Sequence, residues 1–220
     1  MGRLTKEEIR KRNIKKRKEM SFIEKEKKDL EIFRKITSLD VFVNAAVVLS
    51  YVSVRFEVNT INIIRYCFEN KKKVYVPVCY ENRDGMDFCC INSLMELHVT
   101  NLFLLEPYIK KERIFKDINS ENSICVVPGI CFSLKGDRIG FGKGYYDRFL
   151  KNFKGTKIGI CYDFDLEQDF YKTSLDVPVN LVLTEKRILD FRKNFNYVFE
   201  GESKVWNLKI IQKKIIWIDI

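Results

Sequence analysis

Apolar residues in this chain fall into short unbroken runs, separated by stretches in which they recur at helical spacing. The run at 45–51 (AAVVLSY) is bounded by polar residues and reads as a strand buried on both faces, as does ICVVP at 124–128. Further strands are predicted at 73–78 (KVYVPV), 86–91, 157–162 and 179–183, with helices over 60–70 and 145–152. Residues 4–35 read as one long helix, with Thr5 as N-cap and Glu8 three residues on, a capping box. Its apolar positions are sparse: Ile9, Ile14, Met20, Ile23, Leu30 and Phe33 make a narrow packing stripe. Strands alternating with helices predict an α/β fold, a three-layer αβα arrangement around a mainly parallel sheet. No internal repeat or low-complexity linker interrupts the pattern, so residues 1–220 are expected to form one domain around one core. The segment KIIQKKIIWIDI at the end of the 186–220 stretch fits either an edge strand or a short helix.

Composition adds mainly exclusions. The longest apolar candidate, 41–52, is broken by Asn44 and Ser50 and is too short for a membrane span. The opening MGRLTKEEIRKR lacks the apolar stretch of a secretory signal, and Lys6 stands where a myristoylation signal has Ser or Thr. A cytoplasmic protein with no membrane partner is expected. The seven cysteines are scattered and form no C-x-x-C pair, which reads as reduced thiols, several of them small core residues in apolar runs. His98 is the only histidine and is expected in a loop or at the surface, so Ser-His, Cys-His and His-rich metal chemistries all lack parts.

The net charge is +10, and the first 35 residues carry fourteen basic against seven acidic side chains. The two signs are interleaved at helical spacing, as in Glu7 with Lys11, which describes a solvated helix rather than a nucleic-acid surface. No nucleic-acid partner is expected.

The chemistry concentrates in Arg138-Ile-Gly-Phe-Gly-Lys-Gly-Tyr-Tyr-Asp147, which lies shortly after the buried strand at 124–128 and opens a helix. Glycines let several backbone N–H groups converge on one anion, and a helix N-terminus adds positive charge. Arg138 and Lys143 can meet phosphate oxygens, and Asp147 is placed to hold Mg²⁺ against them. Gly144 follows Lys143 where a Walker A loop has Ser or Thr, and Tyr145 stands where a dinucleotide fingerprint has its last glycine. Nucleotide plus magnesium is the reading, on neither of those two motifs.

The whole block PGICFSLKGDRIGFGKGYYDRFL resembles the signature of the 5-formyltetrahydrofolate cyclo-ligase family. The resemblance runs from residue 6 to about 185. Lys6 and Arg10 fit the family's N-terminal K-x-x-x-R pair, and 51–60 (YVSVRFEVNT) fits its Y-x-S…E-V-x-T segment. KKVYVPV, Met86-Asp-Phe, Glu106-Pro107 and Asp176-Val-Pro-Val follow in the family's order. It implies a CoA-transferase-like fold with a long N-terminal helix and a phosphate loop after a central strand. It also implies ATP-dependent closure of 5-formyltetrahydrofolate to 5,10-methenyltetrahydrofolate, with ADP and phosphate released, and ATP and Mg²⁺ as co-substrate and cofactor. A monomer or weak homodimer is expected.

The resemblance also implies roles. Lys143, Arg138 and Tyr146 would be catalytic. ATP would be bound by Lys6, Arg10 and the run Arg138, Ile139, Gly140, Phe141, Gly142, Lys143, Gly144, Tyr145 and Tyr146. The folate would meet Val52, Glu57, Phe141, Gly142, Lys143, Gly144 and Tyr145, and Mg²⁺ would be held by Asp147 and Asp176. Three positions depart from the family's habit: Leu102 stands where relatives often have Trp or Tyr, Leu175 replaces a polar neighbour, and Asn180 replaces Asp. The rival reading is a non-catalytic relative of the same fold, an RNA-binding or thiamine-pathway module. Retention of Arg138, Lys143, Asp147, Asp176 and Glu57 together favours the enzyme.

Overall fold

A computed structural model of the chain describes residues 4–54, 56–80, 85–100 and 104–192, and the backbone of two further strands at 196–200 and 207–211. In chain order the first elements are α1 (Lys6–Glu19), α2 (Phe22–Ser38), α3 (Asp40–Asn44), β1 (Val47–Ser50), α4 (Ile61–Glu69) and β2 (Lys73–Cys79). Next come β3 (Met86–Ile91), β4 (Leu97–Val99), β5 (Leu105–Pro107), β6 (Ser123–Pro128), β7 (Cys131–Ser133) and β8 (Arg138–Ile139). The last are α5 (Tyr145–Leu150), β9 (Thr156–Ile160), β10 (Leu166–Glu167), β11 (Leu181–Leu183), β12 (Arg187–Asp190), β13 (Asn196–Glu200) and β14 (Asn207–Ile211).

Nine strands form the main sheet in the order β14-β13-β12-β11-β9-β6-β1-β2-β3. β2, β1, β6, β9 and β11 run parallel, while β3 at one edge and the β12–β14 meander at the other are antiparallel. This is a mixed α/β fold with a mainly parallel central sheet. The strand residues alternate between two apolar clusters. Val48, Val126, Ile158 and Leu183 pack with Ile32 and Ile36 of α2 and Ile63 and Ile64 of α4. Leu49, Val127 and Val182 pack with Leu150 of α5 and Phe153. Each such side chain contributes roughly 1.5–3 kcal/mol on burial, so the apolar runs that marked the strands also fix their place at the centre.

The expected single N-terminal helix is two. The chain breaks at Met20 and Ser21, which are extended, and the Ser21 side chain caps α2 by accepting the Glu24 amide. The Thr5–Glu8 capping box stands. The break changes the helical phase, so the predicted stripe fails: Ile23 is 80% exposed and Leu30 41%, while α1 buries Ile9, Asn13 and Arg17 and α2 buries Asp29, Ile32, Lys35 and Ile36. His98 is not in a loop but in β4, half-buried, its ring stacked on Tyr108 at 3.9 Å. Of KIIQKKIIWIDI, residues 209–211 belong to a strand and 212–220 lie outside the described residues.

Strand order positions the site. From β1 the chain moves outward to β2 on one side and returns to place β6 on the other, which makes the β1–β6 boundary a topological switch point. Ligands of open α/β sheets collect in the crevice outside the carboxyl ends of such strands. Here those ends are Ser50-Tyr51 and Pro128-Gly129.

Candidate active site

A cavity of about 790 Å³ opens at that crevice, lined by Tyr51 and Val52 past β1, Pro77 and Cys79 of β2, and Pro128 at the end of β6. Its size is that of a site for one or two small molecules. β7 and β8 form a hairpin that carries the chain from β6 back to the crevice, where residues 140–144 make the loop into α5. Gly142 (φ +100°) and Gly144 (φ +66°) hold backbone angles that side-chain-bearing residues avoid, which is why glycine stands there. α5 has only six residues, so the positive potential at the loop comes from side chains more than from a helix dipole. Lys6, Arg10, Arg138, Lys143, Arg148 and Lys151 all line the cavity.

Lys6, Arg10 and Arg138 are already engaged. Lys6 Nζ donates to Asp176 Oδ2 at 2.6 Å, and Arg10 Nε donates to the Gly140 carbonyl at 2.7 Å. The Arg138 guanidinium, 7% exposed, donates to Asp147 Oδ2 at 2.8 Å and lies over the Tyr146 ring at 5.7 Å. Asp147 is braced a second time by the Val177 amide at 3.2 Å. Burial would raise the Asp176 carboxyl, but Lys6 and the Thr173 amide hold it below the usual range. Lys143 is exposed and makes no side-chain ion pair among the described residues.

The opposite wall is built by the 51–60 segment. Thr60 O–H donates to the Tyr51 carbonyl at 2.7 Å and its oxygen accepts the Ser53 amide at 3.0 Å, closing the loop ahead of α4. Within it Glu57 accepts the Val54 amide at 3.0 Å and lies buried, and that burial pushes its carboxyl up. Two buried polar atoms beside these groups have no partner among the described residues, Arg138 Nε and the Tyr146 hydroxyl. Burial raises the Tyr146 phenol well above its ordinary value, so it stays neutral and can donate a hydrogen bond.

Glycines and cations thus face a buried carboxylate across one cavity, and residues 3–185 match the model of the 5-formyltetrahydrofolate cyclo-ligase family. The chain belongs to the 5-formyltetrahydrofolate cyclo-ligase family. It is similar to the 5-formyltetrahydrofolate cyclo-ligase of Escherichia coli K12, 26% identical over 153 residues, 68% of this chain and 83% of the relative. A probable 5-formyltetrahydrofolate cyclo-ligase of Caenorhabditis elegans is 28% identical over 170 residues, 73% of this chain and 82% of the relative. The solved 5,10-methenyltetrahydrofolate synthetase of Aquifex aeolicus superposes with a TM-score of 0.74 at 28% identity, covering 87% of this chain and 95% of that one. The synthetase of Mycoplasma pneumoniae shares the fold, with a TM-score of 0.67 at 24% identity over 83% of this chain and 100% of that one. The chain is thus a ligase of this family.

In this family member nearly all the residues singled out in the sequence line the one cavity: Lys6, Arg10, Val52, Glu57, 138–147 and Asp176. Ile139 does so differently, since its side chain is buried with Ile9 and Phe170 and its carbonyl already accepts the Ile130 amide. Leu175 is 74% exposed at the cavity, whereas Asn180 is remote from it, its side-chain oxygen accepting the Lys157 amide between β9 and β11 at 2.8 Å. Leu102 lies outside the described residues.

Other contributors carry no motif. α1 is docked by polar groups: Arg17 donates to Asp165 Oδ2 at 2.9 Å and to the Gly129 carbonyl at 2.7 Å, and Asn13 donates to the Ile130 carbonyl at 3.2 Å. Arg12 adds an ion pair with Glu167. These contacts position Lys6 and Arg10. Their one sequence signal was a heptad-like recurrence of 6, 10, 13 and 17 on one helical face. Glu106, read only as a family landmark, proves to be a buried cavity carboxylate.

Proposed function

We propose that this chain closes 5-formyltetrahydrofolate to 5,10-methenyltetrahydrofolate at the expense of ATP, releasing ADP and phosphate, with Mg²⁺ as cofactor. The observation that carries the reading is the single cavity in which the 140–144 loop and its cations face Glu57, in a chain of this family. A formamide carbonyl is a poor electrophile and its oxygen a poor leaving group. Phosphorylation of that oxygen by the γ-phosphoryl of ATP expels ADP and leaves an iminium phosphate. N10 then attacks the former formyl carbon, phosphate departs with the oxygen, and the N10 proton is lost to water or phosphate. Transfer of this kind needs positioning and charge neutralisation more than a nucleophilic side chain.

Lys6, Arg10, Arg138 and Lys143, with the loop amides, bind the phosphates. Lys143, without an ion-pair partner among the described residues, follows the charge that develops on the transferred group, and the neutral Tyr146 hydroxyl donates toward the reacting oxygen. Glu57 and Val52 hold the folate ring, with Phe141 and Tyr145 flanking it. Asp147 and Asp176 fit Mg²⁺, which takes one or two carboxylates and completes its shell with phosphate and water. Held by Asp147 and Asp176, Mg²⁺ would supply neutralisation of β- and γ-phosphate charge. The alternate burial of the sheet supports the three-layer arrangement. The reading takes the protein as cytoplasmic, supported by its seven free cysteines, and among the described residues no helix is long and apolar enough to cross a membrane.

The test mixes purified protein with 5-formyltetrahydrofolate, ATP and Mg²⁺ and follows the near-ultraviolet absorbance of the methenyl product. Product that forms only with all three, and is lost in Lys143→Ala, supports the reading. ATP binding without product in the wild type refutes the substrate.

A further inference from the structure

The cavity divides its charge between two walls. Cations line the wall made by α1 and the glycine loop, while the wall made by β2, β3 and β5 is apolar at Pro77, Met86 and Leu105. Set into that apolar wall is Glu106 on β5, 9% exposed. Its two oxygens share one donor, the Cys79 amide, at a long 3.3 Å each, with the Cys79 thiol beside them. Asp29, Asp147, Asp165 and Asp176 each have a Lys or Arg partner, and Glu106 has none among the described residues. His98, its cross-strand neighbour, is stacked on Tyr108. Burial therefore raises the Glu106 carboxyl.

A carboxylate offers about four acceptor sites, and one shared amide leaves most of them open to the cavity. A buried carboxylate without a cation is costly unless something else supplies hydrogen bonds. Glu57, on the neighbouring segment, has the same character, with one backbone donor. Two such groups in one cavity call for a ligand rich in N–H donors on a flat apolar body. Adenine carries one exocyclic amine. A reduced pterin carries an exocyclic amine, a ring amide N–H and a ring amine N–H, more than a single carboxylate can satisfy.

We propose that Glu106 is a second substrate-binding carboxylate, accepting from the pterin ring of the folate an N–H that Glu57 does not reach. This rests on the folate reading of the same cavity. Glu106 thereby selects for a donor-rich ring and against ATP entering the wrong end.

Equilibrium binding of 5-formyltetrahydrofolate and, separately, of ATP to the full chain tests this with wild type, Glu106→Gln and Glu106→Asp. Gln keeps one acceptor oxygen for the Cys79 amide but removes the charge and replaces the other oxygen with an N–H donor; Asp keeps the charge on a shorter arm. A charge-assisted hydrogen bond lost from a buried site weakens binding by about tenfold or more, so both variants should lose folate affinity to that extent. ATP affinity should stay within about twofold, and in turnover KM for folate should rise while KM for ATP does not. Either variant suffices if the other fails to fold. Wild-type folate affinity in the variants overturns the proposal, as does a loss confined to ATP. Wild-type protein that binds no folate at all refutes the folate reading itself, and the wild-type arm separates that outcome from failure of Glu106 alone.

Discussion

Arg17→Ala isolates the way α1, which carries the proposed phosphate-binding Lys6 and Arg10, is attached to the rest of the molecule. Arg17 is 4% exposed, and its guanidinium is shared between Asp165, wholly buried, and the carbonyls of Gly129 and Ile130. Removing one partner of a buried ion pair costs about 3–5 kcal/mol, because the other charge is left without compensation. Against a total stability of about 5–15 kcal/mol this is a large fraction. With a urea slope of about 2 kcal/mol per M, the unfolding midpoint should fall by about 1.5–2.5 M. The pH dependence has a defined sign. Burial raises Asp165 to about 6 even with Arg17 beside it, so its contribution to stability declines as pH rises from its unfolded value toward about 6. Without Arg17 the folded value moves higher still, and the defect grows as pH rises above about 6, by at most about 1.4 kcal/mol per pH unit. Asp165→Asn added to Arg17→Ala should recover part of the loss. ATP affinity, measured by titration, should fall as well, because α1 carries Lys6 and Arg10. An unchanged urea midpoint refutes the energetic argument, and lost stability with unchanged ATP affinity refutes the link from α1 to the nucleotide.

Three further outcomes are expected. Gly142→Ala strains a backbone at φ +100° by roughly 1–2 kcal/mol while meeting nothing closer than Arg10 at 3.7 Å; melting should fall modestly and ATP affinity more. An intact ATP affinity in the variant contradicts the loop's proposed role as phosphate cradle. Because Lys6–Asp176 and Arg138–Asp147 neutralise one another in the free protein, Mg²⁺ alone and ATP alone should each raise the melting temperature little, and together by much more than the sum; additive shifts contradict the pairing. Tyr146→Phe removes a buried hydroxyl without a partner among the described residues, so stability should hold or rise by about 1 kcal/mol while kcat falls at least tenfold, and unchanged kcat removes Tyr146 from the chemistry.

The central strands were legible because their apolar runs have one physical cause: parallel strands at β1 and β6 are covered on both faces. The glycine block was legible for a similar reason, since few arrangements use three alternate glycines between Arg138 and Asp147. What escaped was held by polar contacts. A stripe drawn through apolar positions misplaced the packing of the first 38 residues, because α1 docks through Asn13 and Arg17 and the break at Ser21 resets the phase of α2. Asn180, noted in the sequence only as replacing the family's usual Asp, serves the β9–β11 junction with its amide oxygen. Glu106 is invisible to periodicity, because a buried carboxylate in a three-residue strand has no pattern around it.

The polar docking of α1 bears on how such a site works. A helix whose only buried apolar residue is Ile9 gains little from hydrophobic burial, and it stays in place through Arg12, Asn13 and Arg17 and through the two groups it brings to the cavity. Lys6 and Arg10 bond to the 173–176 turn and to the glycine loop when no phosphate is present. On the proposed reading, phosphate binding exchanges partners on cations that are already in place, with little new ordering of long side chains to offset. By linkage, whatever affinity those two cations give to the nucleotide is returned as stability of the docked helix. The hydrophobic core sets where the crevice lies; the ion pairs and hydrogen bonds on its rim hold Lys6, Arg10 and Arg138 beside it.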